Sequence, residues 1–254
     1  MARTGQAVEE RDDGTLVTFA EDEPAAEALM AALVAEGRGT AASRRPLEPV
    51  DWPTRWRDGL SARRFGRLTV VPSWVERAGA DEGPLVVLDP ESAFGSGEHG
   101  STRAALSLLE RHLGSGDRVL DLGSGSGILA IAAVKLGASR AVGIENDPEA
   151  LPVARRNAAR TGVDDAVEFL EGDAGDLAPL LGPADLLLSN ILRTVNTALL
   201  PAIVAATHPG ALAIFSGMET PEAPLFRPVL DGAGLRVSDE VEDAGWWAVA
   251  ARRT

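Results

Sequence analysis

Val119-Leu120-Asp121-Leu122-Gly123-Ser124-Gly125-Ser126-Gly127 decides the fold of this chain of 254 residues. Val119, Leu120 and Leu122 make a short apolar strand that runs straight into a bend carrying three glycines. The next residues, ILAIAAVKLGA, read as a helix that follows at once, near Gly127–Leu136. Glycines at such a bend let the chain turn tightly and let a ligand touch bare backbone. The N–H groups at the helix start suit a negatively charged group. Strand, glycine bend and helix in immediate succession are the opening unit of a parallel α/β sheet.

The pattern repeats downstream. Strands are predicted near Arg118–Leu122, Ala141–Ile144, Val167–Leu170, Asp185–Ser189 and Ala211–Phe215, and further helices near Pro148–Thr161, Val195–Ala206 and Ala223–Gly232. Short apolar strands alternating with helices indicate a parallel sheet covered on both faces. Two last strand-like runs, Leu235–Val241 and Trp246–Ala251, suit an antiparallel pair at the sheet edge. Upstream, the apolar spacing of His99–Leu113 predicts a helix starting near Ser101, and Arg67–Val71 and Leu85–Leu88 predict strands. Leu16–Phe19 predicts a strand and Pro24–Glu36 a helix, with Asp22 or Glu23 as its cap, Pro24 in its first turn and Gly37 as its stop.

The ligand follows from spacing. Dinucleotide loops usually read G-x-G-x-x-G. Here the third glycine comes early, at Gly127, with Ile128 after it, which favours S-adenosylmethionine, whose carboxylate and amine need less room than a pyrophosphate. Asp121 suits the ligand's positive amino group, or holds the loop by accepting its N–H groups. Glu145, 22 residues beyond Gly123 at the tip of the second strand, suits the two ribose hydroxyls. Asp147-Pro148 reads as a helix cap followed by a first-turn proline. Asp173 ends the third strand, either as an acceptor for an adenine amino group or as a solvated loop acid.

Composition sets limits on function. The net charge of −14 disfavours direct nucleic-acid contact and favours basic partners, or simply keeps the chain in solution. The absence of cysteine excludes disulfides, thiolate catalysis and thiolate-bound zinc. His99, His112 and His208 show no metal-ligand spacing. The first residues are acidic with no apolar core of a signal peptide, and no apolar run nears the roughly 18 residues that span a bilayer, so a cytoplasmic location is expected.

Three ordered stretches, AFGSGEHGSTR (Ala93–Arg103), the glycine bend with Gly143-Ile144-Glu145-Asn146-Asp147, and DLLLSNIL (Asp185–Leu192), resemble the ribosomal protein L11 methyltransferases. DWPTRWRDGL with GRLTVVPSW is similar to that family's inter-domain linker. The resemblance implies an α/β fold: a Rossmann-like, seven-stranded class I methyltransferase sheet over residues 85–254, a linker over 51–84, and a small, reduced α+β segment for substrate recognition over 1–50. It implies S-adenosylmethionine as cofactor and an amine of ribosomal protein L11, a lysine or the N-terminus, as acceptor. Thr102, Gly123, Glu145 and Asn190 fall on the family's cofactor-binding positions, with Gly125 and Gly127 in the same bend. Phe94, Gly95, Ser96 and Gly97 would close over the cofactor near its methyl group. Asn190 would also orient the incoming amine, as the one catalytic residue. His99 reads as a structural hydrogen bond at a helix start more readily than as a proton acceptor. Trp52, Trp56 and Trp74 form a hinge or docking face, or merely pack. A monomer is expected.

The departures from the family pattern are local. Glu145 replaces its usual aspartate, Ser96, Gly100 and Ser101 replace residues of the first motif, and Ser189 replaces the alanine before Asn190. Asn190-Ile191-Leu192-Arg193 lacks the prolines and aromatic typical of enzymes that methylate planar amide or adenine nitrogens, which favours an aliphatic amine. Competing readings are a methyltransferase for a small molecule or another protein, a cofactor-binding module without transfer, and, more remotely, a nicotinamide-dependent oxidoreductase.

Overall fold

The computed structural model describes residues 9–10, 16–17, 22–35, 43–44, 60–75, 83–91 and 93–254. The chain divides into two compact units, Met1–Arg55 and Trp56–Thr254. In the first, β1 (Glu9–Glu10) pairs antiparallel with β2 (Leu16–Val17), and α1 spans Glu23–Ala35. Asp22 Oδ1 accepts from Ala25 N at 2.8 Å, so Asp22 is the cap. Thr18, Phe19, Gly37, Trp52 and Trp56 lie outside the described residues.

The second unit opens with β3 (Arg63–Phe65), β4 (Leu68–Val71) and β5 (Leu85–Val87), a three-stranded sheet in that order. Residues 63–71, read from sequence as part of a linker, are therefore built into this unit, and β3 was not foreseen. Their apolar residues explain this: Phe65, Leu68 and Val70 are buried in one core with residues of the helices that follow.

The large sheet contains β6 (Arg118–Leu122), β7 (Arg140–Glu145), β8 (Val167–Glu171), β9 (Ala184–Asn190), β10 (Thr207–Glu219), β11 (Leu235–Asp243) and β12 (Trp246–Arg253). Its order is β11-β12-β10-β9-β6-β7-β8, parallel except for β12, which is antiparallel to both neighbours. This is the sheet the sequence predicts, including the edge pair. The helices are α2 (Gly100–His112), α3 (Ile128–Leu136), α4 (Ala150–Thr161), α5 (Ala174–Leu181), α6 (Arg193–Ala205) and α7 (Ala223–Gly232). The sequence reading lacks α5. Its eight residues include Gly175 and Pro179, which break the apolar period.

Alternation along the strands builds two cores. Val119, Leu186, Leu188, Ile214 and Ala250 face one side with α2, α3 and α4; Leu120, Leu187, Phe215, Trp247 and Val249 face the other with α6 and α7. α3 is buried on nearly every side, consistent with its apolar sequence. On the second face Phe226 meets both Phe215, at 5.4 Å between centroids, and the fully buried Trp247, edge-on at 6.4 Å. Trp247→Ala is expected to destabilise the unit by about 3–5 kcal/mol through transfer and cavity terms. Urea unfolding followed by circular dichroism measures it, and an unchanged midpoint would show that this cluster contributes nothing.

Candidate functional site

The chain leaves β6 toward β7 and β8, then returns to place β9 on the other side of β6. Ligands bind parallel α/β sheets at such a reversal, beyond the carboxyl ends of the strands. Asp121 and the glycine bend stand at that end of β6, and Asn190 ends β9.

Gly123, Gly125 and Gly127 all have positive φ, at +71°, +52° and +81°. Close packing excludes side chains there as well. A Cβ on Gly127 would lie 2.6 Å from Phe169 Cζ, one on Gly125 2.6 Å from the Phe94 carbonyl oxygen, and one on Gly123 2.8 Å from Ile191 Cγ2. The sequence reading has the bend's amides facing a ligand, whereas in the structure protein acceptors take all five. Gly123 N and Ser124 N donate to the Ile144 carbonyl, Gly127 N to that of Ser124, Ser126 N to that of Phe94, and Gly125 N to Glu145 Oε2 at 2.8 Å.

Glu145 thus braces the bend. Its Oε1 also accepts from Asn146 N at 2.9 Å and Asp147 N at 3.0 Å. Three of the roughly four lone-pair positions of the carboxylate are taken, leaving room at Oε2 for one further donor. Asp147 Oδ1 accepts from Glu149 N at 2.9 Å and so holds the turn into α4.

Asp121 is almost completely buried. Its Oδ2 accepts from Ala130 N at 3.1 Å, in the first turn of α3 and beyond the bend itself, while Oδ1 has no partner. Burial, with the nearby Glu145 charge adding to it, pushes its pKa up to about 7 despite the Ala130 hydrogen bond.

The Phe94–Gly97 loop docks on the start of α3. Gly95 O accepts from Ser126 Oγ at 2.6 Å, and Ser96 Oγ accepts from Glu98 N at 3.2 Å. Gly95 and Gly97 have φ of +99° and +84° and lie against Ile128. Phe94 is 57% exposed, its ring edge-on to His99, which in turn packs at a tilt against Trp246, with centroids 4.2 Å apart. His99 Nδ1 lies 2.7 Å from Ser101 Oγ at the start of α2, the structural role anticipated. Burial first, then the Arg103 guanidinium, hold its imidazole below the ordinary pKa, so the ring is neutral near pH 7. Arg103 is itself anchored by Asp243 at the end of β11, with Nε 2.8 Å from Oδ2.

Buried Thr102 meets Asn190: Asn190 Nδ2 donates to Thr102 Oγ1 at 3.3 Å, and Asn190 Oδ1 is buried without a partner. Asp173 stands apart. It is exposed and caps α5, its Oδ1 accepting from Gly175 N at 2.6 Å, so its oxygen is engaged by a helix the sequence reading lacked. Trp74 is half-buried.

Sequence reasoning missed two buried asparagines. Asn157 accepts from Asp89 N and donates to the Ser126 carbonyl, both at 3.0 Å, tying the bend to the chain after β5. Asn196 accepts from Ser189 Oγ at 2.6 Å and donates to the Ile191 carbonyl at 2.9 Å. The available signal was an amide side chain at an apolar position of a helix: Asn157 follows Ala154, and Asn196 precedes Leu200 and Ile203.

Among the described residues no cluster of His, Asp and Glu could hold a metal ion, and no helix is long and apolar enough to cross a membrane. Comparison with known proteins gives one consistent result. The family model described as ribosomal protein L11 methyltransferase (PrmA) matches residues 5–254. Proteins named ribosomal protein L11 methyltransferase are similar to this chain. That of Pelotomaculum thermopropionicum is 41% identical over 227 residues, covering 89% of this chain and 73% of its own length. That of Thermus thermophilus is 43% identical over 203 residues, covering 80% and 78%. The crystal structure of ribosomal protein L11 methylase from Lactobacillus delbrueckii subsp. bulgaricus superposes with a TM-score of 0.68 at 28% identity, over 76% of this chain and 98% of that one.

The buried Asp121 carboxyl makes stability depend on pH. The native chain keeps this proton up to about pH 7, whereas the unfolded chain releases it near the ordinary 3.8. Between those values the native state binds more protons, so this group's contribution to stability falls as pH rises through that window and is level above it. Denaturant midpoints of an Asp121→Asn variant should therefore decline less than those of the native chain from about pH 4.5 to about pH 7.5. Parallel profiles would place the buried proton elsewhere.

Proposed function

The chain belongs to the ribosomal protein L11 methyltransferase family, and on that footing we propose that it moves a methyl group from S-adenosylmethionine to an amine of ribosomal protein L11. The observation that carries this reading is the family match over residues 5–254, which spans both the sheet and the segment before it. The donor set fits the cofactor. Two buried polar oxygens without partners, Asp121 Oδ1 and Asn190 Oδ1, stand at the ends of adjacent strands, where a ligand with N–H donors completes them. The donor's sulfonium supplies an activated methyl group with its own leaving group.

Asp121 holds the ligand's amino group and Glu145 accepts from its ribose at the remaining Oε2 position. Gly123, Gly125 and Gly127 shape the bend, and Thr102 fixes the Asn190 amide. Phe94, Gly95, Ser96 and Gly97 cover the site and exclude water, and Asp173 lies at the adenine end. An acceptor lysine reacts only as the neutral amine, and burial at the site lowers its pKa toward that form. Asn190 Oδ1 then accepts from the amine N–H and aims the nitrogen lone pair, so the contribution is alignment more than acid–base chemistry. Residues 1–50 present the acceptor protein, 51–84 lead from them to the site with 63–71 packed into the second unit, and 85–254 carry the transfer. The acid-rich chain attracts a basic substrate in the cytoplasm and acts as a monomer without nucleic acid or membrane.

Intact-mass analysis of L11 after incubation with the protein and S-adenosylmethionine should show additions of methyl mass. No addition, with turnover on a metabolite panel instead, would favour the small-molecule reading. Glu145→Ala should weaken binding of S-adenosylhomocysteine, followed by calorimetry, by about 1–3 kcal/mol, while Asn190→Ala should lower kcat far more than cofactor affinity. Unchanged affinity in the first, or unchanged turnover in the second, removes that residue from its role.

A further inference from the structure

Behind Asn190 runs a closed circuit of buried polar contacts. Ser189 Oγ donates to Asn196 Oδ1 at 2.6 Å. Asn196 Nδ2 donates to the Ile191 carbonyl at 2.9 Å and the Ser216 carbonyl at 3.2 Å, and its backbone N–H donates to the Leu192 carbonyl at 2.9 Å. Ser216 Oγ donates to the Ser101 carbonyl at 2.8 Å. Ser101 precedes Thr102, which accepts from Asn190. The circuit therefore starts beside Asn190 in β9, crosses α6 and β10, and returns through α2 to the Asn190 side chain. Ser101, Thr102, Ser189, Asn196 and Ser216 are all 0–1% exposed.

We propose that Asn196 is a positioning residue for methyl transfer: it clamps the Asn190–Leu192 turn to β10 and α2, so that Asn190 Oδ1 stays aimed at the incoming amine. The proposal rests on the reading of Asn190 given above. Asn196 occupies an apolar position of α6, in line with Leu200 and Ile203, where a leucine would pack without any polar group to satisfy. What the amide adds is direction. It holds the residues on either side of Asn190, through the Ser189 hydroxyl and the Ile191 carbonyl, while the Asn196 backbone N–H holds the Leu192 carbonyl. Gly217 lets β10 press against the same turn, since its φ is +81° and a Cβ there would lie 2.5 Å from the Ile191 carbonyl oxygen. With Asn190 Nδ2 engaged by Thr102, Oδ1 is left as the free acceptor. A fixed acceptor contributes to rate in proportion to how well it is aligned before reaction.

The test uses the full chain with Asn196→Ala, Asn196→Leu and Ser216→Ala. Each is measured well below its melting temperature for kcat and KM on L11, for S-adenosylhomocysteine affinity, and for amide hydrogen exchange of the peptide spanning 189–194. Expected are a fall in kcat of tenfold or more in Asn196→Leu, a smaller fall in Ser216→Ala, binding and KM within threefold of the parent, and faster exchange confined to that peptide. Asn196→Leu fills the site but strands the Ser189 hydroxyl and the Ile191 and Ser216 carbonyls, so where neither Asn196 variant folds, Ser216→Ala answers the question, parent-like kcat and exchange there overturning the proposal. A kcat within twofold of the parent in Asn196→Leu, or a loss of cofactor affinity in step with kcat, overturns the proposal. If the parent itself gives no turnover on L11, the functional reading fails, and exchange decides the clamp alone: acceleration confined to 189–194 supports it and unchanged exchange overturns it.

Discussion

The bend between β6 and α3 depends on a carboxylate from the neighbouring strand. Three glycines in five residues give the backbone freedom that costs entropy to remove, and each loop amide buried without an acceptor would cost about 1–3 kcal/mol more. Glu145 meets one of these amides and, through its other oxygen, fixes its own descent from β7 at Asn146 and Asp147. The Ile144 carbonyl takes two more. The second strand of the sheet therefore determines the shape of the loop after the first, and the β6–β7 pairing is what makes the loop a fixed surface. The Phe94 loop completes it from above by accepting from Ser126. Phe169, on β8, fills the space that the absent side chains of Gly127 and Gly143 leave open.

What was legible in the sequence follows from how the chain is buried. Central strands with both faces covered need apolar residues in unbroken runs. Leu186, Leu187 and Leu188 announce β9 for that reason, and the glycine bend announces the β6 carboxyl end. Asp121, Glu145 and Asn190 were singled out because each stands at the end of one of those strands. α5 was illegible because eight residues with a glycine and a proline carry too little period; only Asp173, two residues before Gly175, marked its start, and it was read as a loop acid or an adenine contact. β4 was anticipated at Arg67–Val71, but β3 was hidden in a stretch that resembles a linker, although Phe65 is buried with Leu68 and Val70 in the main core.

Asn157 and Asn196 were illegible for a different reason. On a helix, a single asparagine among alanines and leucines looks like a tolerated surface residue, because sequence alone does not say which backbone carbonyl it will meet. Both turn out to be brackets, Asn157 between the bend and the chain after β5, Asn196 between the β9 tip and β10. The residues proposed to touch a ligand end strands and leave a mark in the pattern. The parts that hold those residues still are buried in helices and look like exceptions to it.

That division also explains where unsatisfied polar groups remain. A buried polar atom without a partner is costly, and folded proteins keep few of them. Asp121 Oδ1 and Asn190 Oδ1 are the atoms left over once Asp121 Oδ2 has taken Ala130 N and Asn190 Nδ2 has taken Thr102 Oγ1. For Asp121 the protein limits the cost by retaining a proton, which burial and the Glu145 charge favour. Asn190 has no such escape, since an amide does not titrate, and under the proposed function a ligand N–H completes its oxygen. A site arranged in this way holds one acceptor whose state responds to what binds and another that stays the same. The invariant one is the better suited to aim an amine whose own protonation has to change before it reacts.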